Sequence, residues 1–456
     1  MSEAEADSLT LASAPHQPLL TQVRLPEADA PWSLPLRLLF RFIGSYFVIY
    51  SFPYPLSLIP GTGKAVAFYA NHWNDGVAWV GAHVLHLAQP IAELSNGSGD
   101  RLFAWVEQGC FLAVALSATV LWSILNRRRA SYRKLHGWLR ILLRYQLASA
   151  LLYYGFSKVI KNQFSFPEEN RLNERVGDMS PMGLLWTFMG YSTVYTFFGG
   201  AMEALGGLLL LFRRTTTLGA LVTVGVMGNI VLMNFSYDVP VKIYSSILLA
   251  MAIALLAPDL GRLADVLVRN RPVAAASLAP PYAARLPVLG GYALKTLLIG
   301  YLLYTNVQSN LAVHKQFATA PGDASFDGAW KVEEFVRDGA PVPPLATDAT
   351  RWSLLIVSFS RSVGVRAMDD SIQRYGFEDD AAAHQWVLTP RGPGSDPNAP
   401  PEKLKLPYSR TDKDHLILEG PFGGARLKIS LTRLDPSRFL LVNRGFHWIN
   451  EFPFNR

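Results

Sequence analysis

Cysteine is almost missing from this chain: Cys110 stands alone among 456 residues. A single thiol excludes an intramolecular disulfide, and no CxxC redox or zinc spacing exists. Cys110 lies in an apolar run, where a thiol acts as a small core side chain. Charge is scarce too, at 17% of residues against about 25% in an average globular chain. Half of the residues are apolar, which points to a membrane protein with a soluble part attached. Basic and acidic groups balance from Asn310 onward, so the net charge of +7 belongs to the first 309 residues. That excess falls between apolar runs, where it reads as membrane topology rather than as nucleic-acid binding. Residues 1–33 lack the basic start and apolar core of a signal peptide. Their acidic, Ala- and Pro-rich composition predicts a disordered cytoplasmic tail. No Gly-rich nucleotide loop, haem-attachment motif or iron–sulfur spacing is present, so no covalently bound cofactor is expected.

What the chain does have is long apolar runs. A bilayer-spanning helix needs roughly 20 mostly apolar residues. Seven runs qualify, at about 36–58, 102–126, 138–160, 193–212, 216–234, 239–257 and 288–308. They delimit a helical membrane domain over 34–312. Arg37 and Arg41, the loop "NRRRASYRKLHGWLR" (126–140), "FRR" (212–214), and Arg262, Arg269, Arg271 and Arg285 carry the basic bias. All fall on one side if the amino terminus is cytoplasmic, which places the C-terminal part outside the cytoplasm. Residues 63–88 are long enough to span but hold Asn71, His72, Asn74, Asp75, His83 and His86. They are expected as an interfacial amphipathic helix or a broken re-entrant piece, with Trp73 and Trp79 at the interface. His72, Trp79, His83 and His86 share one side of an ideal helix, but Gly76 and "NHWND" argue against an unbroken one. No carboxylate or thiolate completes a metal set there.

Between the fifth and sixth runs stands "NFSYDVPVKIYSS" (234–246), with Asp238 and Lys242 four residues apart. Asp238 suits an N-cap, and Pro240 suits the first turn. The pair is either a capped helix start at the membrane surface or part of a polar site. Glu203 is more informative, because it lies mid-span within "GGAMEALGG" (199–207). Gly199, Gly200, Gly206 and Gly207 share its helix face, and small residues at that spacing let helices approach closely. A carboxyl at that depth is a functional-site candidate by default. The third run offers Arg144, Tyr154 and Lys158, and the fifth offers Asn229 and Asn234. The expectation is a polar, ligand-binding cluster of these residues with Asp238 and Lys242, against the alternative of helix-to-helix glue and snorkelling lysines.

The runs "LRYQLASALLYYGFSKVIKNQF" (143–164), "FGGAMEALGGLLLLFRRTTTLGALV" (198–222) and "NFSYDVPVKIYSSILLAMAIALLAPD" (234–259) resemble the DoxX-like membrane proteins of bacteria. Gly155 with Lys158, and Glu203 with Gly206, match that family's pattern over about 140–260. The resemblance implies a bacterial plasma-membrane protein, quinone-associated within a membrane redox system. A diffusible quinone and a redox partner protein would then supply the chemistry. The competing expectation is non-enzymatic binding or transfer of a lipophilic ligand. Membrane bundle plus outer β domain is also similar in layout to the vitamin K-dependent carboxylases.

Residues 315–456 change character. Short runs such as "AWKVEEFV", "RWSLLIVSF", "HQWVLT", "HLILEG", "ARLKISLTRL" and "RFLLVN" predict an antiparallel β-barrel or sandwich. A polar loop, "RGPGSDPNAPPE" (391–402), interrupts them. "FDGAW" (326–330), with Arg444 after the last run, resembles a lipocalin-type barrel whose Trp is covered by an Arg. The closing "NRGFHWINEFPFNR" (443–456) is apolar enough to be expected docked on barrel or bundle, with His447, Asn450 and Glu451 near the polar cluster.

Overall fold

In lipid, a backbone must satisfy its own hydrogen bonds, so the apolar runs fold as helices. A computed structural model describes residues 31–93, 96–274, 285–318, 324–358, 361–391 and 403–455. Most of the expected N-terminal tail and most of the 391–402 loop lie outside these residues. The helices are α1 (Leu34–Ser51), α2 (Gly63–His83), α3 (Leu102–Leu125), α4 (Arg133–Val159), α5 (Glu169–Leu172), α6 (Pro181–Tyr191), α7 (Thr193–Leu210), α8 (Thr216–Ser236), α9 (Lys242–Leu256), α10 (Leu260–Leu267) and α11 (Arg285–Ala318). Among the described residues, five stretches are long and apolar enough to cross a membrane: Leu34–Leu58, Leu102–Leu125, Thr193–Leu210, Arg213–Ser236 and Lys242–Leu267. The run at 138–160 is helical within α4, but Arg144, Gln146 and Lys158 dilute its apolarity. The run at 288–308 lies within α11, which continues past the expected domain limit at 312 to Ala318.

Helix α2 corrects one expectation. It runs unbroken from Gly63 to His83 through Gly76 and "NHWND". Trp73 donates to Glu107 Oε1 at 3.0 Å and stacks on Phe111 at 4.9 Å, so its ring packs on α3. His86 lies past the helix end at φ +50°, which breaks the shared face of the histidines.

The packing divides the chain into two units. The described parts of Met1–Ile91, Val106–Leu143 and Ala257–Ala283 form the first. At its centre the fully buried Tyr132 stacks on Phe40, and its hydroxyl accepts from Arg41 Nε and Nη2 at 3.1 and 2.8 Å. Arg41 Nη1 donates to Ser123, and Nη2 also reaches the Asn126 carbonyl. Expected as a topological surface charge, Arg41 is instead a buried, fully engaged clamp. Burial of a guanidinium is tolerated only with such partners.

The second unit comprises Ala92–Trp105, Arg144–Leu256 and the described parts of Ala284–Arg456. Its β domain is a closed antiparallel barrel. The strands are β1 (Gly328–Arg337), β2 (Ala340–Pro341), β3 (Trp352–Ser358), β4 (Ser362–Ala367), β5 (Ile372–Asp380), β6 (Gln385–Arg391), β7 (Leu404–Arg410), β8 (His415–Phe422) and β9 (Ala425–Arg433). Each pairs with its neighbour, β2 is a two-residue extension on β1, and β1 pairs with β9 to close eight strands. Trp330, Phe335, Trp352, Phe377 and Trp386 fill the interior as one core. The ring of Trp330 is covered by Arg433, 5.5 Å from its centroid, at the end of the last strand. Arg444, expected in that role, lies over Phe454 instead.

Two further expectations fail at the C-terminus. "RFLLVN" does not form a strand, because the pairing ladder is already closed by β9. Asp435 accepts from Ser437 N and starts a 3-10 turn, followed by α12 (Leu440–Asn443). The tail is not docked: Trp448 is 90% and Phe452 83% exposed.

The barrel is tied to the segment between α4 and α7. Asn170 Nδ2 donates to Ser358 Oγ at 2.6 Å, and Arg366 Nη2 to the Asn173 carbonyl at 2.7 Å. Arg438 Nη2 reaches Asn173 Oδ1 at 2.6 Å.

Candidate functional site

The site begins with glycine. A Cβ on Gly155 would lie 2.7 Å from Ala204 N and 2.8 Å from the Gly200 carbonyl oxygen. A Cβ on Gly200 would lie 2.6 Å from the Gly155 carbonyl oxygen. The backbones of α4 and α7 therefore touch, as small residues on facing helices permit. This contact brings Lys158 onto Glu203, with Nζ 2.7 Å from Oε1 and 3.0 Å from Oε2. Glu203 is only 3% exposed. Both charges are buried and mutually neutralised, the condition under which ions persist in an apolar interior.

Beside the pair lies a cavity of about 420 Å³. Tyr154, Lys158, Glu203, Asn229 and Asn234 line it together. The Lys158 ammonium lies over the Tyr154 ring at 5.8 Å. Asn234 Nδ2 donates to Ser245 Oγ at 3.0 Å, which holds its amide against α9. Most of the remaining wall is apolar, with Met182, Leu185, Trp186 and Met189 from α6 and Met233 from α8. Tyr195 and Phe198 also line the cavity and are exposed, so it reaches the surface along α7.

Three expected members lie elsewhere. Arg144 is buried, and its Nε donates to the Leu210 carbonyl at 2.9 Å, at the end of α7. A cation at a helix C-terminus complements the helix dipole. Asp238 and Lys242 do pair, at 2.7 Å, but neither lines the cavity. Nor is Asp238 the cap of α9. It sits at φ +50° before the helix, and Asp100 does the capping. The Asp100 carboxylate accepts from Lys242 N at 2.8 Å and Ile243 N at 3.0 Å. Asp100→Ala should cost about 1 kcal/mol, the usual worth of a cap, read as a lower thermal midpoint, whereas Asp238→Ala should change it far less.

Helix α6, which supplies much of this wall, falls in none of the seven apolar runs. Its start was legible: Ser180 accepts from Gly183 N at 3.0 Å, and Pro181 occupies the first turn. Ser followed by Pro is a helix-start signal. Chemically, the cavity offers hydrocarbon walls, one ammonium, one carboxylate, phenols and amides. Such a set suits a mostly hydrocarbon molecule carrying a few oxygen atoms. Among the described residues, no group of three or more His, Cys, Asp or Glu side chains could hold a metal ion.

Over 115 residues, 25% of this chain and 71% of the relative, the sequence is 37% identical to "Uncharacterized protein YwoB" of Bacillus subtilis (strain 168). No family model matches the chain. No solved structure matches it.

Proposed function

Through that stretch the chain belongs to the family of YwoB, and on this premise we propose that it is an integral membrane protein whose cavity holds a quinone-like lipophilic ligand. The observation that carries the reading is the Lys158–Glu203 pair at the wall of a largely apolar cavity. A quinone ring presents carbonyl oxygens to donors, and its isoprenoid tail needs hydrocarbon. Lys158, Tyr154 and the Asn229 and Asn234 amides are the donors, while Glu203 holds the ammonium in place. From the resemblance of 140–260 to DoxX-like proteins we further propose a quinone-associated role in a membrane redox system. Electron donors or acceptors other than the quinone would come from a partner protein. The basic bias of the loops supports a multi-pass protein of the bacterial inner membrane, with a cytoplasmic amino terminus and the barrel outside.

A second reading is non-enzymatic binding or transfer of a lipid between bundle and barrel. It is favoured by Trp186, which borders both the cavity and a polar pocket on the barrel wall. Organic extraction of the purified protein followed by mass spectrometry separates the two. A quinone recovered near one per chain supports the first, and phospholipid alone in its place overturns it.

A further inference from the structure

The second pocket is formed by the segment between α4 and α7 against the outer wall of β3–β5, with a volume of about 370 Å³. Arg171, Arg366 and Arg374 line it, opposed by Glu168 and Glu174. Trp186 and Ile356 supply apolar wall. Two of the guanidinium groups are held in place: Arg171 Nη1 pairs with Glu174 at 2.7 Å, and Arg366 Nη2 donates to the Asn173 carbonyl at 2.7 Å. A guanidinium has five donors, so each retains capacity for an oxyanion. Arg374 is exposed. The location matters as much as the charge. Trp186 and Thr187 come just before α7, a helix apolar enough to cross the membrane, whose first residue is Thr193. The pocket therefore adjoins the start of a candidate span, where a lipid headgroup would stand if α7 crosses the bilayer.

We propose that this pocket binds the phosphate headgroup of an anionic membrane lipid. The three guanidinium groups take the phosphate oxygens, and Trp186 and Ile356 meet the first carbons of the lipid. The occupant is independent of the ligand in the cavity beside Lys158.

Glu168 makes the site sensitive to pH. Burial, helped by the nearby Asp327 charge and opposed by Arg171, raises its carboxyl to about 7. Arg366, Arg374 and Glu174 line the same pocket, and Glu169 adjoins it in the chain. Protonated, Glu168 is a donor to a phosphate oxygen; ionised, it repels one. Headgroup binding should therefore weaken as pH rises through about 7.

The test uses the full chain in detergent and titrates short-chain phosphatidylglycerol, a monoanion throughout this range. The matching diacylglycerol and inorganic phosphate serve as comparators. Phosphatidylglycerol should bind and diacylglycerol should not. Arg374→Gln should weaken binding by about tenfold or more, the worth of one charge-assisted hydrogen bond, with an unchanged thermal midpoint. Glu168→Gln should abolish the pH dependence. Equal binding of diacylglycerol, or indifference to Arg374→Gln, would overturn the site. Equal affinity for inorganic phosphate would overturn the lipid assignment. Gly225→Phe, which fills the other cavity, should leave this binding intact; its loss there would place the lipid beside Lys158 instead.

Discussion

Lys158→Met is expected to lower stability by about 3–5 kcal/mol, because it leaves a buried carboxylate without its counter-ion. The size follows from the geometry: Glu203 is almost fully buried and the Lys158 ammonium contacts its carboxylate. Glu203→Leu alone should cost a similar amount by stranding the ammonium. The double variant is the informative one. Removing both charges and filling their space with hydrocarbon is often neutral, so Lys158→Met/Glu203→Leu should recover most of the lost stability. It should still fail to retain the ligand, because the donor to the headgroup is gone. Thermal unfolding and ligand recovery, measured on the same preparations, separate the two roles. A double variant that retains ligand like the wild type would reduce the pair to glue between helices.

The next largest effect is expected at the crossing of α4 and α7. Gly200→Ala places a methyl group 2.6 Å from the Gly155 carbonyl oxygen and 2.7 Å from Lys158 Cβ. No side-chain rotation relieves a clash with backbone, so the helices must separate. Overpacking of this kind costs about 1–3 kcal/mol, and the separation would also pull Glu203 from Lys158. Gly155→Ala should behave alike. Gly199→Ala is the control, because a Cβ there meets nothing within 4 Å. It should leave the thermal midpoint unchanged or raise it, since alanine is the better helix former. Equal loss at Gly199 and Gly200 would mean that helix propensity, and not close approach, governs these positions.

How much of this was legible in the sequence depends on how local each cause is. Glu203 and Lys158 stood out because charge inside an apolar run is expensive and must have a partner. The glycine spacing around Glu203 then indicated a helix-facing side, and Gly155 provides the matching surface. The cap of α9 was not legible. Asp238 is the nearest carboxylate in sequence, but the one that binds the helix start is Asp100, 142 residues away. Arg41 misled for the same reason: its partners Tyr132, Ser123 and Asn126 come from other elements. In the barrel, strands rich in aromatic and branched residues were readable. The strands β4, β5 and β7 were not, because Gly364, Gly376 and Pro407 interrupt their pattern. Closure of β1 on β9 is a property of the whole sheet, which is why "RFLLVN" read as a strand and folded otherwise. Composition alone suggested docking for the tail, whereas Phe446 and Trp448 pack on each other and are otherwise exposed.

The central claim is that the cavity beside Lys158 and Glu203 is occupied by a lipophilic molecule, and Gly225 allows a direct test. It lines the cavity, and a Cβ there meets nothing within 4 Å. Phenylalanine at this position should fill the space without straining α8. Organic extracts of wild type and Gly225→Phe, purified identically and quantified by mass spectrometry, give the comparison. The account predicts about one quinone-class molecule per wild-type chain and a loss of most of it in the variant at an unchanged thermal midpoint. Equal recovery from both proteins, or none from either, would contradict it.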